Sequence, residues 1–192
     1  MLAGLILAGG EGKRWGKPKA WATLPDGTTF LESCFNTLRG AGSAPIVATL
    51  PPTSQDPKID GLDALALPEA GMDMFGSLLV GLARLTEDSA WRKVAVLPVD
   101  HPLVHLRTVV TLAASYERAV IPSFGGKHGH PICLDREVAL AITSGDFDGP
   151  TLREVLREVG ATDVEVDDRG VVANCNTPAA LSEALRASNF EF

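Results

Sequence analysis

Two rhythms of apolar and polar residues take turns along this chain. Leu2–Ala8 is an unbroken apolar run leading into glycines, the pattern of a strand covered on both faces. Pro45–Leu50, Leu62–Leu67 and Lys93–Val99 predict further strands, and Ala119–Ile121 an extended segment. Between them, Leu31, Cys34, Phe35 and Leu38 fall on one face of a helix, with Thr29 and Glu32 spaced as a capping box at its start. Ser77 is placed to cap a helix carrying Leu78, Leu79, Leu82 and Leu85, and Leu106 to Tyr116 predicts another. Thr151 and Glu154 repeat the capping box ahead of Leu152, Val155, Leu156 and Val159. Thr177 and Pro178 supply the N-cap and first position of a last helix with Leu181, Ala184 and Leu185 inward. Val164–Val166 and Val171–Ala173 alternate across an Asp-Asp-Arg-Gly turn, which predicts a hairpin or edge pair.

The resulting βαβα order predicts an α/β sheet, mostly parallel, with helices on both faces. No linker or repeat interrupts it, so residues 1–192 are expected to form one domain. Ligands of such sheets bind beyond the carboxyl ends of the strands. The glycines after Ala8 and the carboxylate of Asp100 both follow strands directly and are expected on that edge.

Composition narrows the function classes. At 45% hydrophobic and 21% charged residues the chain is not disordered in type, and its net charge of −7 argues against a nucleic-acid partner. No apolar run reaches the roughly 18 residues of a membrane helix. The apolar N-terminus lacks a basic stretch before it and reads as a buried strand, not a secretory signal. Cys34, Cys133 and Cys175 are odd in number and widely spaced, as expected of reduced thiols in a cytoplasmic protein.

The chemistry concentrates in Leu7-Ala8-Gly9-Gly10-Glu11-Gly12-Lys13-Arg14-Trp15-Gly16-Lys17-Pro18-Lys19. Glycines directly after a strand let backbone N–H groups approach phosphate oxygens. Arg14 adds a planar fork for phosphate and Lys19 a mobile point charge. A P-loop would need Ser or Thr where Pro18 follows Gly16-Lys17, and a dinucleotide fingerprint would need a small residue where Trp15 stands. Asp100, in Pro98-Val99-Asp100-His101-Pro102, has two readings taken alone: a metal ligand at a strand tip, or a cap for the next helix. His101 and His105 have a helical metal-ligand spacing, but Pro102 and the lack of a third soft ligand nearby oppose it.

LAGGEGKRWGKPKA resembles the signature LAGGxSxRMGxxKA of the MobA-like nucleotidyltransferases, small enzymes that join a nucleoside triphosphate to a phosphorylated acceptor. The resemblance implies their Rossmann-like, three-layer α/β/α (GT-A-like) fold. It also implies nucleotide binding by Leu7, Ala8, Gly9, Gly10, Gly12, Arg14 and Lys19, with Arg14, Lys19 and Asp100 as the catalytic set. Gly71-Met72…Gly76-Ser77-Leu78 resembles the family's base and ribose segment, which extends the nucleotide site to Gly71 and Ser77. Lys127-His128-Gly129-His130-Pro131 resembles the GHP turn on the acceptor side, implying acceptor binding by His130. Ala173-Asn174-Cys175-Asn176-Thr177-Pro178 matches the closing segment whose second Asp or Asn reaches the metal, so Mg²⁺ is expected between Asp100 and Asn176.

The implied reaction transfers NMP from CTP or GTP to a phosphorylated small molecule, such as molybdopterin, with release of pyrophosphate. Pro18-Lys19 and the GHP turn lean to the cytidylyl branch, Gly9-Gly10 and Asn-x-Asn-Thr-Pro to the guanylyl branch. A sugar- or alcohol-phosphate acceptor stays open. So does a non-catalytic nucleotide-binding regulator, favoured by neutral Asn174 and Asn176 where relatives carry carboxylates.

Overall fold

The computed structural model describes residues 1–10, 12, 15–87, 90–147 and 151–188. Its strands are β1 (Leu2–Leu7), β2 (Ser43–Leu50), β3 (Leu62–Ala66), β4 (Lys93–Pro98), β5 (Ala119–Phe124), β6 (Lys127–His128), β7 (Ile132–Asp135) and β8 (Thr162–Glu165). Its helices are α1 (Phe30–Gly40), α2 (Met74–Thr86), α3 (Leu106–Ala113), α4 (Arg136–Ser144), α5 (Leu152–Val159) and α6 (Pro178–Ser188). The strands make one mixed sheet in the order β3-β2-β1-β4-β7-β5-β6, with β8 alongside β5. From β3 to β4 all pairing is parallel, as is β5 with β8, while β7 runs antiparallel to both β4 and β5.

The apolar runs fill the centre because both faces are covered. Alternate residues of β1 point opposite ways. Ile6, with Ala48 and Leu97, packs toward Phe30, Leu31 and Leu38 of α1 and toward α3. Leu5, with Val47 and Val96, packs toward Leu78 and Leu82 of α2 and toward α4 and α5. This is the expected three-layer arrangement. Register brings the strand tips level: Leu7 pairs with Thr49 on one side and Pro98 on the other. Among the described residues, no helix is long and apolar enough to cross a membrane.

Local signals held where side chain and backbone could satisfy each other. Thr29 and Glu32 form the full reciprocal capping box of α1. At α5, Thr151 accepts from the Glu154 N–H, while its own hydroxyl donates to the Glu154 carboxylate. Thr177 caps α6 by accepting from the Ala180 N–H.

Three expectations are corrected. Ser77 does not cap α2: Asp73 does, accepting from the Gly76 N–H, and Ser77 lies inside the helix donating to the Asp73 carbonyl. The hairpin of Val164–Val166 with Val171–Ala173 does not form, because β8 pairs in parallel with β5 and Arg169–Val172 is a 3-10 turn. Buried Asp168 accepts from the N–H groups of Gly170 and His105 and the Thr108 hydroxyl, which ties that turn to α3. The third helix ends at Ala113, short of Tyr116, which is fully exposed.

Candidate active site

Three distant stretches of chain meet beyond the level tips of β1 and β4. Main-chain bonds fix this edge first: the Ala8 N–H donates to Thr49 and the Val99 N–H to Leu7. Gly9 then passes so close to its neighbours that a Cβ there would lie 2.3 Å from Cδ1 of Leu67, just after β3, and 3.1 Å from Ser77 Oγ in α2. Gly10 has no neighbour among the described residues within 4 Å of where a Cβ would sit. Gly12 has φ +63°, and a Cβ would meet the Lys17 carbonyl oxygen at 2.0 Å, so only glycine lets the loop fold back on itself there. That fold delivers Lys19 to the start of a 3-10 turn, Lys19–Trp21.

Lys19 Nζ lies 3.0 Å from Asp100 Oδ2 and also donates to Asn176 Oδ1. Asp100 is placed by the end of β4, and its carbonyl oxygen accepts from the Cys175 N–H at 2.7 Å, which brings Asn176 alongside. The Trp15 indole N–H donates to the Cys175 carbonyl at 3.1 Å, and its ring packs edge-on against Phe30. The side chains of Lys19 and Asp100 are 23% and 10% exposed. Their charges are therefore less screened than those of a surface pair.

Of the sequence-predicted residues, Lys19, Asp100 and Asn176 come together, and Leu7, Ala8, Gly9, Gly10 and Gly12 build the loop beside them. Ser77 is buried against Gly9, while Gly71 is exposed in the turn before α2. Arg14 lies outside the described residues. His130 is partly buried and packs on His101, ring centroids 4.9 Å apart. His105 does not join it. Its side chain is half exposed and 4.0 Å from Asp168.

His101 bridges the two parts of the site, a role the sequence pattern did not disclose. Its Nε2 is 4.0 Å from Asp100 Oδ1 and its Nδ1 is 3.5 Å from the Gly170 carbonyl oxygen. Burial pushes its pKa down, opposed by the Asp100 charge. For His130, burial and then His101 push it down to about 3. Its Nδ1 is buried without a hydrogen-bond partner among the described residues. His130 also lines a cavity of about 760 Å³, walled by Leu7, Phe75 and Leu78 on one side and Leu152 and Leu156 on the other. No sequence signal links α2 to α5, so the cavity was not anticipated.

Burial raises the Cys175 thiol to about 12 and pushes Cys34 upward too, so neither is a thiolate nucleophile at neutral pH. Among the described residues no three His, Cys, Asp or Glu side chains converge on a metal position. The Lys19 ammonium nevertheless marks a point where a cation contacts one carboxylate and one amide oxygen. Such hard oxygen donors suit Mg²⁺ or Mn²⁺ when other ligands complete the shell.

Comparisons with known proteins agree with this architecture. The family model for the MobA-like NTP transferase domain matches residues 4–166. The chain is 29% identical over 191 residues to a molybdenum cofactor guanylyltransferase of Xanthomonas euvesicatoria, covering 95% of this chain and 93% of that protein. It is 27% identical over 198 residues to a protein of Mycobacterium tuberculosis named as a probable molybdenum cofactor guanylyltransferase, covering 96% and 94%. The crystal structure of Rv0371c from Mycobacterium tuberculosis has the same fold, with a TM-score of 0.78 at 21% identity over 96% of this chain and 97% of that one. That protein has also been crystallised with manganese. With the glycine loop, Lys19 and Asp100 in the arrangement described, the chain belongs to the MobA-like NTP transferase family and is a nucleotidyltransferase.

Proposed function

We propose that this enzyme transfers GMP from GTP, with CTP as the rival donor, to a phosphorylated small-molecule acceptor and releases pyrophosphate. The observation that carries the reading is the meeting of Lys19, Asp100 and Asn176 beside the glycine loop. GTP takes precedence because both relatives above, and a 2-phospho-L-lactate guanylyltransferase of Haloarcula marismortui at 26% identity, are named guanylyltransferases. The names of the first two favour the molybdenum cofactor precursor, molybdopterin, as acceptor. Buried thiols and an acidic surface favour action in the cytoplasm.

In this reading the backbone of Leu7, Ala8, Gly9, Gly10 and Gly12 holds the triphosphate, and Arg14 and Lys19 offset its charge. Gly71 and Ser77 border the base and ribose. Asp100 and Asn176 would hold Mg²⁺, which when bound would supply charge neutralisation. An acceptor phosphate oxygen attacks the α-phosphorus. The new P–O bond forms as the bond to the β-phosphate bridging oxygen breaks, and both electrons leave with pyrophosphate. No protein nucleophile takes part, so the chain's contribution is positioning and electrostatics. The apolar cavity takes the body of the acceptor, and His130, whose Nδ1 has no hydrogen-bond partner among the described residues, contacts it.

Pyrophosphate release tests this directly, with GTP, CTP, ATP or UTP, with and without Mg²⁺, and with molybdopterin or 2-phospho-L-lactate. The expected result is release that requires Mg²⁺, an acceptor, and GTP above the other three. Release with CTP alone would move the enzyme to cytidylyl transfer. No release with any combination would overturn the reading.

A further inference from the structure

Building on the assignment of Asp100 and Asn176 as metal ligands, we propose that Lys19 gates that metal position. In the nucleotide-free protein its ammonium excludes a divalent ion until a triphosphate draws it away.

The geometry is that of a cation already in place. Lys19 Nζ contacts Asp100 Oδ2 at 3.0 Å and the amide oxygen of Asn176 at the same time. These are the two oxygens a divalent ion would need. The ion would meet the positive charge of the ammonium, with one carboxylate to balance both. Among the described residues no cluster of carboxylates, histidines or cysteines offers another site. A hard divalent ion takes about six oxygen ligands, and the chain supplies two, one of them neutral. The protein alone is therefore a poor metal site, and Lys19 makes it poorer.

A triphosphate changes both terms. Its oxygens are a stronger partner for the ammonium than one carboxylate, and they complete the metal's shell. Lysine suits the movement, being a compact charge on a flexible four-carbon stem. The scaffold does not depend on that charge. The Trp15 indole holds Cys175, the Cys175 N–H holds the Asp100 carbonyl, and Gly12 packs against the Lys17 and Lys19 backbone. Removing the ammonium thus leaves in place the backbone that carries both side chains. Metal and nucleotide affinities become coupled through one side chain, and the coupling is reciprocal.

Any change at Lys19 lowers turnover, so the readout is metal binding. Mn²⁺ alone is titrated into the full chain without nucleotide, and free Mn²⁺ is followed by electron paramagnetic resonance. Lys19→Met is expected to bind Mn²⁺ at least about tenfold more tightly than the wild type, because a repelling charge has gone. Lys19→Arg, which keeps the charge, is expected to bind as weakly as the wild type. Adding Asp100→Asn to Lys19→Met is expected to abolish the gain. Thermal melts confirm folding, and Lys19→Gln carries the same test if the methionine variant misfolds. Lys19→Met binding no tighter than the wild type overturns the gate. If instead Mn²⁺ binds equally to wild type and Asp100→Asn in the presence of GTP, the metal assignment itself fails.

Discussion

Trp15 and Cys175 lie 160 residues apart in sequence, yet the indole N–H of one donates to the carbonyl oxygen of the other at 3.1 Å. This bond joins the glycine loop to the segment carrying Asn176. Because the Cys175 N–H is bonded to Asp100, a single residue's two backbone groups tie together all three parts of the site. Trp15→Phe retains an aromatic ring for Phe30 but removes the donor. It is expected to cost about 1 kcal/mol of stability, the usual net worth of one hydrogen bond. It is also expected to raise KM for the nucleotide more than it lowers kcat, since the loop loses its registration while the charges stay. Denaturant melts and steady-state kinetics check both, and an unchanged KM would assign Trp15 to packing alone.

Lys19 and Asp100 carry the site's charge, and their removal is expected to act on rate. Lys19→Ala and Asp100→Ala should each cut turnover at least about a hundredfold, the scale for losing one electrostatic stabiliser of a developing charge. The fold should persist, because this edge of the sheet is fixed by the main-chain bonds of Ala8, Val99 and Cys175, which neither side chain makes. Circular dichroism melts beside pyrophosphate release separate the two effects. Wild-type turnover in the Asp100 variant would remove that residue from the metal position.

Much of the fold and site was legible because the relevant signals were local. The run Leu2–Leu7 could be read as a strand from its own residues, and Thr29 with Glu32 as a cap from their spacing alone. Lys19, Asp100 and Asn176 were legible because each sits in a short motif with a recognisable resemblance. What escaped was non-local. The four-residue β7 is a strand only because β4 and β5 flank it, and α4, which follows it, was also missed. The Asp-Asp-Arg-Gly segment has hairpin chemistry, but Asp168 satisfies α3 instead of turning a hairpin. Ser77 looked like a cap because serine favours caps, while Asp73, four residues earlier, holds that position. The burial of His101 and His130 depends on packing that no spacing encodes.

His101, buried, and His130, partly buried against it, make stability depend on pH. Burial lowers both pKa values, His130 from 6.5 to about 3. Between those values the unfolded chain binds protons that the folded chain refuses. Stability is therefore complete above about pH 6.5 and is lost as pH falls below it. The slope is at most about 1.4 kcal/mol per pH unit for each histidine. His130→Leu removes one of the two groups, so its melting temperature should fall less steeply from pH 7 to pH 4.5 than that of the wild type. Parallel curves would mean that His130 is protonated in the folded state or not buried there.

Asp168 offers the opposite case, a buried carboxylate with a structural task. Only 3% exposed, it accepts hydrogen bonds from the His105 and Gly170 N–H groups and the Thr108 hydroxyl. Asp168→Ala strands two backbone donors and a hydroxyl in the interior, and is expected to cost about 3 kcal/mol. For a chain of this length that corresponds to a melting temperature lower by on the order of 10 °C. Asp168 does not touch Lys19 or Asn176, so turnover per folded molecule should stay at the wild-type level well below the melting temperature. The Gly170 carbonyl that faces His101 nevertheless belongs to the turn Asp168 holds. Lost turnover with an intact melting temperature would therefore show that this turn acts on the site through His101, and that Asp168 positions it.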